Sequence, residues 1–161
     1  MSSSLDHASR SPDWAQVLLG GLLVALGDMA FAATLWFGWD GPGTVRLFQT
    51  IAVGVLGPAS FDGGLQAAGL GVLLHLFMAT MFVLVYTLVA RRYTGLVSRA
   101  WAYGIPYGVA LYLVMNFVVL PLSRVNATPS LKHLDWIAWS VLAHMLFGVI
   151  CVVFAKRALR R

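Results

Sequence analysis

Glutamate is absent from this chain of 161 residues, cysteine occurs once, and charged residues make up only 11% of it. Each shortage removes a class of protein. Without glutamate there is no HExxH zinc-hydrolase helix, and a single cysteine, Cys151, allows neither an intrachain disulfide nor a CxxC redox or zinc motif. No G-x-x-x-x-G-K-[ST] phosphate loop and no G-x-S-x-G nucleophile elbow is present either. Soluble domains carry about 25% charged residues, so so few charges exclude an ordinary soluble domain. The net charge of +5 invites comparison with nucleic-acid binders, but the basic residues gather at the ends of apolar runs and form no stripe interleaved with aromatics. No nucleic-acid partner and no catalysis on a soluble substrate is expected.

What the chain has in abundance is apolar sequence, 60% of its residues. Runs of about 20 apolar residues are what a bilayer-spanning helix needs. Four are present, at 14–39, 65–90, 100–120 and 134–155, enough for one all-α membrane domain over residues 1–161. The expected fold is an up-down bundle of four transmembrane helices. Lysines and arginines orient it. With both termini cytoplasmic, the inner segments hold Arg10, Arg91, Arg92, Arg99, Lys156, Arg157, Arg160 and Arg161, and the outer ones only Arg46, Arg124 and Lys132. The tryptophans agree: Trp14, Trp36, Trp39, Trp101, Trp136 and Trp139 all fall near helix ends, where amphipathic rings prefer the headgroup layer. Residues 17–27 followed by Ala30-Phe31-Ala32 imitate a signal peptide. However, the leader holds Asp6 and Asp13 against Arg10, so it lacks a basic start. A retained first helix is expected, with Ser11 as its N-cap and Pro12 at its first position.

Between the first two runs, the segment 44–56 lies between Pro42 and Pro58 and is too short to span. Val45, Phe48, Ala52 and Val55 fall on one helical face, with Arg46, Gln49 and Thr50 toward the other. This reads as a short amphipathic helix, lying on the outer surface or re-entering the bilayer. In the third run, Pro106 is expected to kink the helix. Gly104 and Gly108 around it form a small-xxx-small pattern for close helix approach, and Pro121 should end the run. The sequon Asn126-Ala127-Thr128 lies in the last outer loop and is read as a chance match.

Chemistry concentrates in three positions. Asp28, His75 and His144 each lie about ten residues from the outer end of their runs, roughly 15 Å deep at 1.5 Å per residue. Each also sits on a stripe of small residues: Gly21, Ala25 and Ala32 around Asp28; Gly64, Ala68, Gly71 and Ala79 around His75; Ser140, Gly148, Cys151 and Ala155 around His144. Small stripes are where transmembrane helices meet, while bulky Leu, Val and Phe face lipid. The three ionisable groups are therefore expected to point into the bundle, as the cost of exposing them to hydrocarbon demands. Tyr112 and Asn116 on the third run can reach the same layer.

Four readings of such a layer stay open. It can be structural, with Asp28 bonded to a histidine. It can hold a transition metal on Asp28, His75 and His144, with Met29, Met78, Met81, Met115 and Met145 nearby. It can hold a b-type haem between His75 and His144, with Gly71 and Gly148 making room for the ring. Or it can move protons or a solute, as in a proton-coupled transporter or channel-like oligomer.

The motifs GDMAFA (27–32), RLFQTIAVGVLG (46–57), LHLFMA (74–79) and MNFVVLPLS (115–123) resemble a group of small bacterial four-helix inner-membrane proteins and, more remotely, the YagU-type proteins. The resemblance implies a bacterial inner-membrane location and carries Asp28, His75, Asn116 and His144 as motif positions. It brings no activity. The family's Gly-x-Pro after the last histidine is replaced here by Gly148-Val149-Ile150. The expectation is a non-enzymatic membrane protein, homo-oligomeric or an accessory subunit of a larger membrane complex.

Overall fold

The computed structural model describes residues 11–128 and 134–160. Asp6, Arg10, Lys132 and Arg161 of the charge count lie outside them. The described residues are helical, with no strand among them. In chain order they form α1 (Trp14–Ala32), α2 (Gly41–Leu56), α3 (Gly64–Arg92), α4 (Ala100–Val114), α5 (Leu120–Leu122) and α6 (Leu134–Ala158). Two π turns, Ala33–Phe37 and Met115–Val119, extend α1 and join α4 to α5. Four helical segments are long and apolar enough to cross a membrane: Trp14–Phe37, Gly64–Arg92, Ala100–Leu122 and Leu134–Ala158.

The ends of these elements follow local chemistry, in two places differently from expectation. Asp13, not Ser11, caps α1, its carboxylate accepting from the Ala15 N–H at 3.1 Å. Asp13 has the shorter reach to the first free N–H groups because Pro12 precedes the helix instead of opening it. The third span ends at Leu122, one residue past Pro121. A proline lacks the N–H for the preceding turn and its ring crowds the carbonyl four residues back. Here the π turn falls immediately before it, and the Leu120 N–H reaches back to the Met115 carbonyl, so the helix continues to Leu122. Pro106 lies inside α4, which continues through it.

α6 is the hub, packing against α1, α3 and α4, while α1 also packs on α3. The tightest seam joins α4 to α6. Gly104 and Gly108 meet Gly148 there, backbone against backbone, as the small-xxx-small pattern suggests. Elsewhere the rule that bulky side chains face lipid fails: Val17, Val24, Val83, Phe147, Val152 and Phe154 are core. Glycines explain it. Gly20 and Gly27 on α1 lie against Phe154 and Phe147, making room for rings inside the bundle. Leu18, Leu73, Phe77 and Leu146 are exposed and form the outer face. The start of α1 meets the end of α6 where the Asp13 N–H donates to the Ala158 carbonyl at 3.0 Å.

α2 begins at Gly41, capped by Asp40 through the Gly43 N–H at 3.0 Å, so Pro42 lies in its first turn and not outside it. Its face also differs from the apolar pattern. Gln49 is buried, while Val55 is exposed. Gln49 is inside because its amide is needed there, donating to the Gly64 carbonyl at 3.2 Å and the Phe61 carbonyl at 3.5 Å. The Ser60 hydroxyl donates in turn to the Gln49 carbonyl at 2.6 Å. Arg46 stacks over Phe61 at 3.5 Å, and the Arg124 N–H donates to the Gly54 carbonyl at 3.0 Å. α2 is thus tied to the start of α3 and to the segment after α5. Gln49→Leu should cost about 1–3 kcal/mol, because it removes the donor from buried carbonyls. A chemical or thermal unfolding curve in detergent micelles checks this.

Candidate functional site

The ends of α1 and α5, the start of α6 and the middle of α3 enclose a cavity of about 290 Å³, with α2 across it. α1 and its π turn contribute Asp28, Met29, Phe31, Trp36 and Phe37. α3 contributes His75, Met78 and Phe82, and α6 contributes Ser140, His144 and Phe147. Met115 and Asn116 come from the second π turn, Leu47 and Ile51 from α2. Volume of this order holds about ten waters at the liquid's roughly 30 Å³ each, a small ligand pocket by the usual scale.

The structure places Asp28, His75, His144 and Asn116 on this one wall, but it does not join them into one centre. His75 Nε2 lies 3.9 Å from Asp28 Oδ2, beyond hydrogen-bond range. Its hydrogen bond goes elsewhere, to the Ala25 carbonyl on α1 at 3.0 Å. A carbonyl only accepts, so the Nε2 of His75 carries a proton. His144 bonds within its own helix, from Nδ1 to the Ser140 carbonyl at 2.8 Å, which by the same logic places a proton on Nδ1. Asn116 likewise donates to the Tyr112 carbonyl one turn back, at 2.9 Å. Tyr112 is buried behind the wall, its ring edge-on to His144 with centroids 5.5 Å apart. Among the described residues no hydrogen bond reaches the Asp28 carboxylate. Its side chain is 36% exposed, against 14% for His75.

Two of the expected uses do not fit this geometry. A metal bound by Asp28, His75 and His144 needs three convergent donors, and no group of three histidine, cysteine or acidic side chains converges among the described residues. His75 Nε2 is already committed to a carbonyl. The haem reading needs free space at Gly71 and Gly148, and both are filled. The Phe48 backbone of α2 packs on Gly71, and the backbones of Gly104 and Gly108 pack on Gly148. These glycines bring helices together and leave no slot for a ring.

Three features of the site were invisible in the spacing pattern. One is the pair of π turns. Each puts residues onto the cavity wall, Trp36 and Phe37 from the first, Met115 and Asn116 from the second. The available signal for the second was Pro121, which requires some local adjustment in a helix that does not stop. Another is the α2 contribution of Leu47 and Ile51. The third is the aromatic rim, where Trp36 packs edge-on to Phe31 at 5.2 Å and against Trp136 at 6.5 Å. No family model matches the chain, and no curated protein or solved structure matches it.

Proposed function

We propose that this chain is a non-enzymatic bacterial inner-membrane protein that binds a small molecule in the α2-side cavity, within the thickness of the bilayer. Its four spans run up and down with both termini in the cytoplasm, and α2 re-enters from the outer side to roof the pocket. The observation that carries the reading is the Asp28 carboxylate, which lines a cavity and accepts no hydrogen bond from the described protein. An intramembrane carboxylate that accepts no hydrogen bond is costly, and a bound molecule is a partner the wall leaves room for. The likeness of the motifs around Asp28, His75 and Asn116 to small inner-membrane proteins agrees with the location.

Cysteine accessibility tests it. Asn116→Cys should react with a small, water-soluble methanethiosulfonate, since the side chain lines the cavity and is partly exposed, unlike the buried Leu47. Leu73→Cys, on the lipid-facing side, should not react. Cys151 is fully buried and serves as the silent background thiol. An inert Asn116→Cys in the folded protein would mean that the pocket is closed to small solutes, and the reading fails.

A second reading, proton-coupled translocation, is favoured by one further observation: Asp28 and His75 stand 3.9 Å apart on the same wall. A proton on either group changes the charge the other feels. In proteoliposomes with an imposed pH gradient, Asp28→Asn should then reduce proton flux to the level of empty vesicles. Equal flux in parent and variant removes this reading without touching the first.

A further inference from the structure

We infer that the ligand of this cavity is a lipophilic organic cation, a protonated or quaternary amine carrying an apolar group. The inference rests on the binding role proposed above and names the chemistry of what is bound.

The sign of the charge comes from the wall. Among the described residues, Asp28 is the only acidic one lining the cavity, and no lysine or arginine lines it. The basic side chains sit elsewhere: Arg46 is over Phe61, and Arg157 is stacked on Phe154. The titratable groups on the wall besides Asp28 are His75 and His144, and each has a ring N–H turned to a backbone carbonyl of its surroundings, Ala25 and Ser140. Neither hydrogen-bonds to the carboxylate. An anion entering this space finds Asp28 facing it and no lysine or arginine among the described residues of the wall. A neutral molecule gains apolar contact but leaves the carboxylate unmatched. A cation supplies the missing opposite charge at a place where low polarity makes the attraction strong.

The second half of the inference comes from what surrounds the carboxylate. Phe31, Trp36 and Phe147 together with Met29, Met78 and Met115 line the same space. Aromatic rings attract cations through their quadrupole, and quaternary ammonium groups are recognised this way by aromatic cages. Methionine thioethers are polarizable and adapt to irregular apolar shapes. One carboxylate within an aromatic and methionine lining is suited to a charged nitrogen with hydrocarbon attached. A hydrophilic inorganic cation would find one carboxylate and too few oxygen ligands to replace its hydration shell.

The test uses three probes of one shape on the full chain in lipid nanodiscs, with empty nanodiscs subtracted: benzyltrimethylammonium, its uncharged carbon isostere neopentylbenzene, and the anion phenylmethanesulfonate. Isothermal titration calorimetry should show the cation binding at least about tenfold more tightly than either of the others. Asp28→Asn should remove that preference, and the neutral probe should still bind, which also shows that the variant is folded. Asp28→Glu should keep the preference in part. If the neutral or the anionic probe binds as tightly as the cation, or if Asp28→Asn leaves the cation's affinity unchanged, the cation inference is overturned while the pocket remains a binding site. If no probe of any charge binds, the binding role falls with it. The ranking on the unmodified chain decides the question even without a variant.

Discussion

Gly148→Ala is expected to be the most damaging single-methyl change in the protein, lowering its stability by about 3 kcal/mol and separating α4 from α6. A methyl group at this position would stand 2.5 Å from the Gly108 nitrogen and 2.8 Å from its Cα, and closer still to the Gly104 carbonyl oxygen. All of these are backbone atoms. A flexible side chain could swing aside, but here an entire helix must move, and movement undoes the rest of the seam. A methyl group at Gly104 would stand 2.5 Å from the Val149 Cα and one at Gly108 2.5 Å from the Met145 Cα, so the three glycines form one contact and fail together. Between transmembrane helices no hydrophobic gain from lipid compensates for lost packing, because lipid tails are as apolar as the side chains. α4 has little else to hold it. Its side-chain hydrogen bond to α3 is from the Tyr107 hydroxyl, which donates to the Phe82 carbonyl at 2.7 Å. Intramembrane bonds of that kind average about 0.6 kcal/mol, too little to retain the helix. Unfolding by graded SDS in mixed micelles measures the loss directly. A variant as stable as its parent would show that the seam has slack, contrary to the spacing.

Much of this seam was legible beforehand. Gly104, Gly108 and Gly148 stand out in apolar runs that otherwise hold bulky residues, and close approach is the physical use of such glycines. The four spans were legible for a similarly direct reason: hydrocarbon thickness fixes their length, and charge and tryptophan mark their ends. Direction within the membrane was harder to read. Hydrophobic periodicity in a soluble helix reports water on one side and core on the other, but here both sides are apolar, and only small residues distinguish them. That signal located Ala25, Ala79, Cys151 and Ala155 in the core. It missed Val83, Phe147 and Phe154, because their burial depends on a glycine of another helix and not on their own size. The layer of Asp28, His75 and His144 shows the same limit. Counting residues put the three at one level, and all three line one cavity. Contact did not follow, because each histidine found a backbone carbonyl within reach, and no sequence pattern encodes that choice. The role of α2 was also half visible. Its length and bounding prolines were plain, while Gln49 required knowledge of which carbonyls the following turn leaves open.

A second pair of substitutions, two residues apart on α3, should act in opposite directions. Gly69→Ala is expected to be neutral or to stabilise by roughly 0.5–1 kcal/mol, because alanine restricts the unfolded chain and prefers helix. Nothing lies within 4 Å of a methyl group at 69. Gly71→Ala should destabilise by about 1–3 kcal/mol through overpacking. Its methyl group would collide with the Phe48 carbonyl oxygen and stand 2.7 Å from the carbonyl carbon and 3.1 Å from the Cα. The obstacle is again backbone, in this case that of α2. α2 is held to α3 and its neighbours at Gln49, Ser60 and Gly54 by bonds that would be stretched as it is pushed away. The displacement matters for the pocket, because Leu47 flanks Phe48 and lines the cavity with Ile51. In the parent protein Leu47 is 3% exposed. A cysteine placed there should therefore be protected from a water-soluble thiol reagent, with Cys151 silent beside it. Adding Gly71→Ala should open Leu47→Cys to the reagent, while adding Gly69→Ala should leave it protected. This readout separates a roof that has lifted from a protein that has merely become less stable, since Gly148→Ala lowers stability at the opposite seam and should leave the roof on in whatever fraction stays folded. Equal protection in all three backgrounds would mean that α2 does not depend on the glycine at 71. The close approach of Phe48 would then have no part in shaping the cavity.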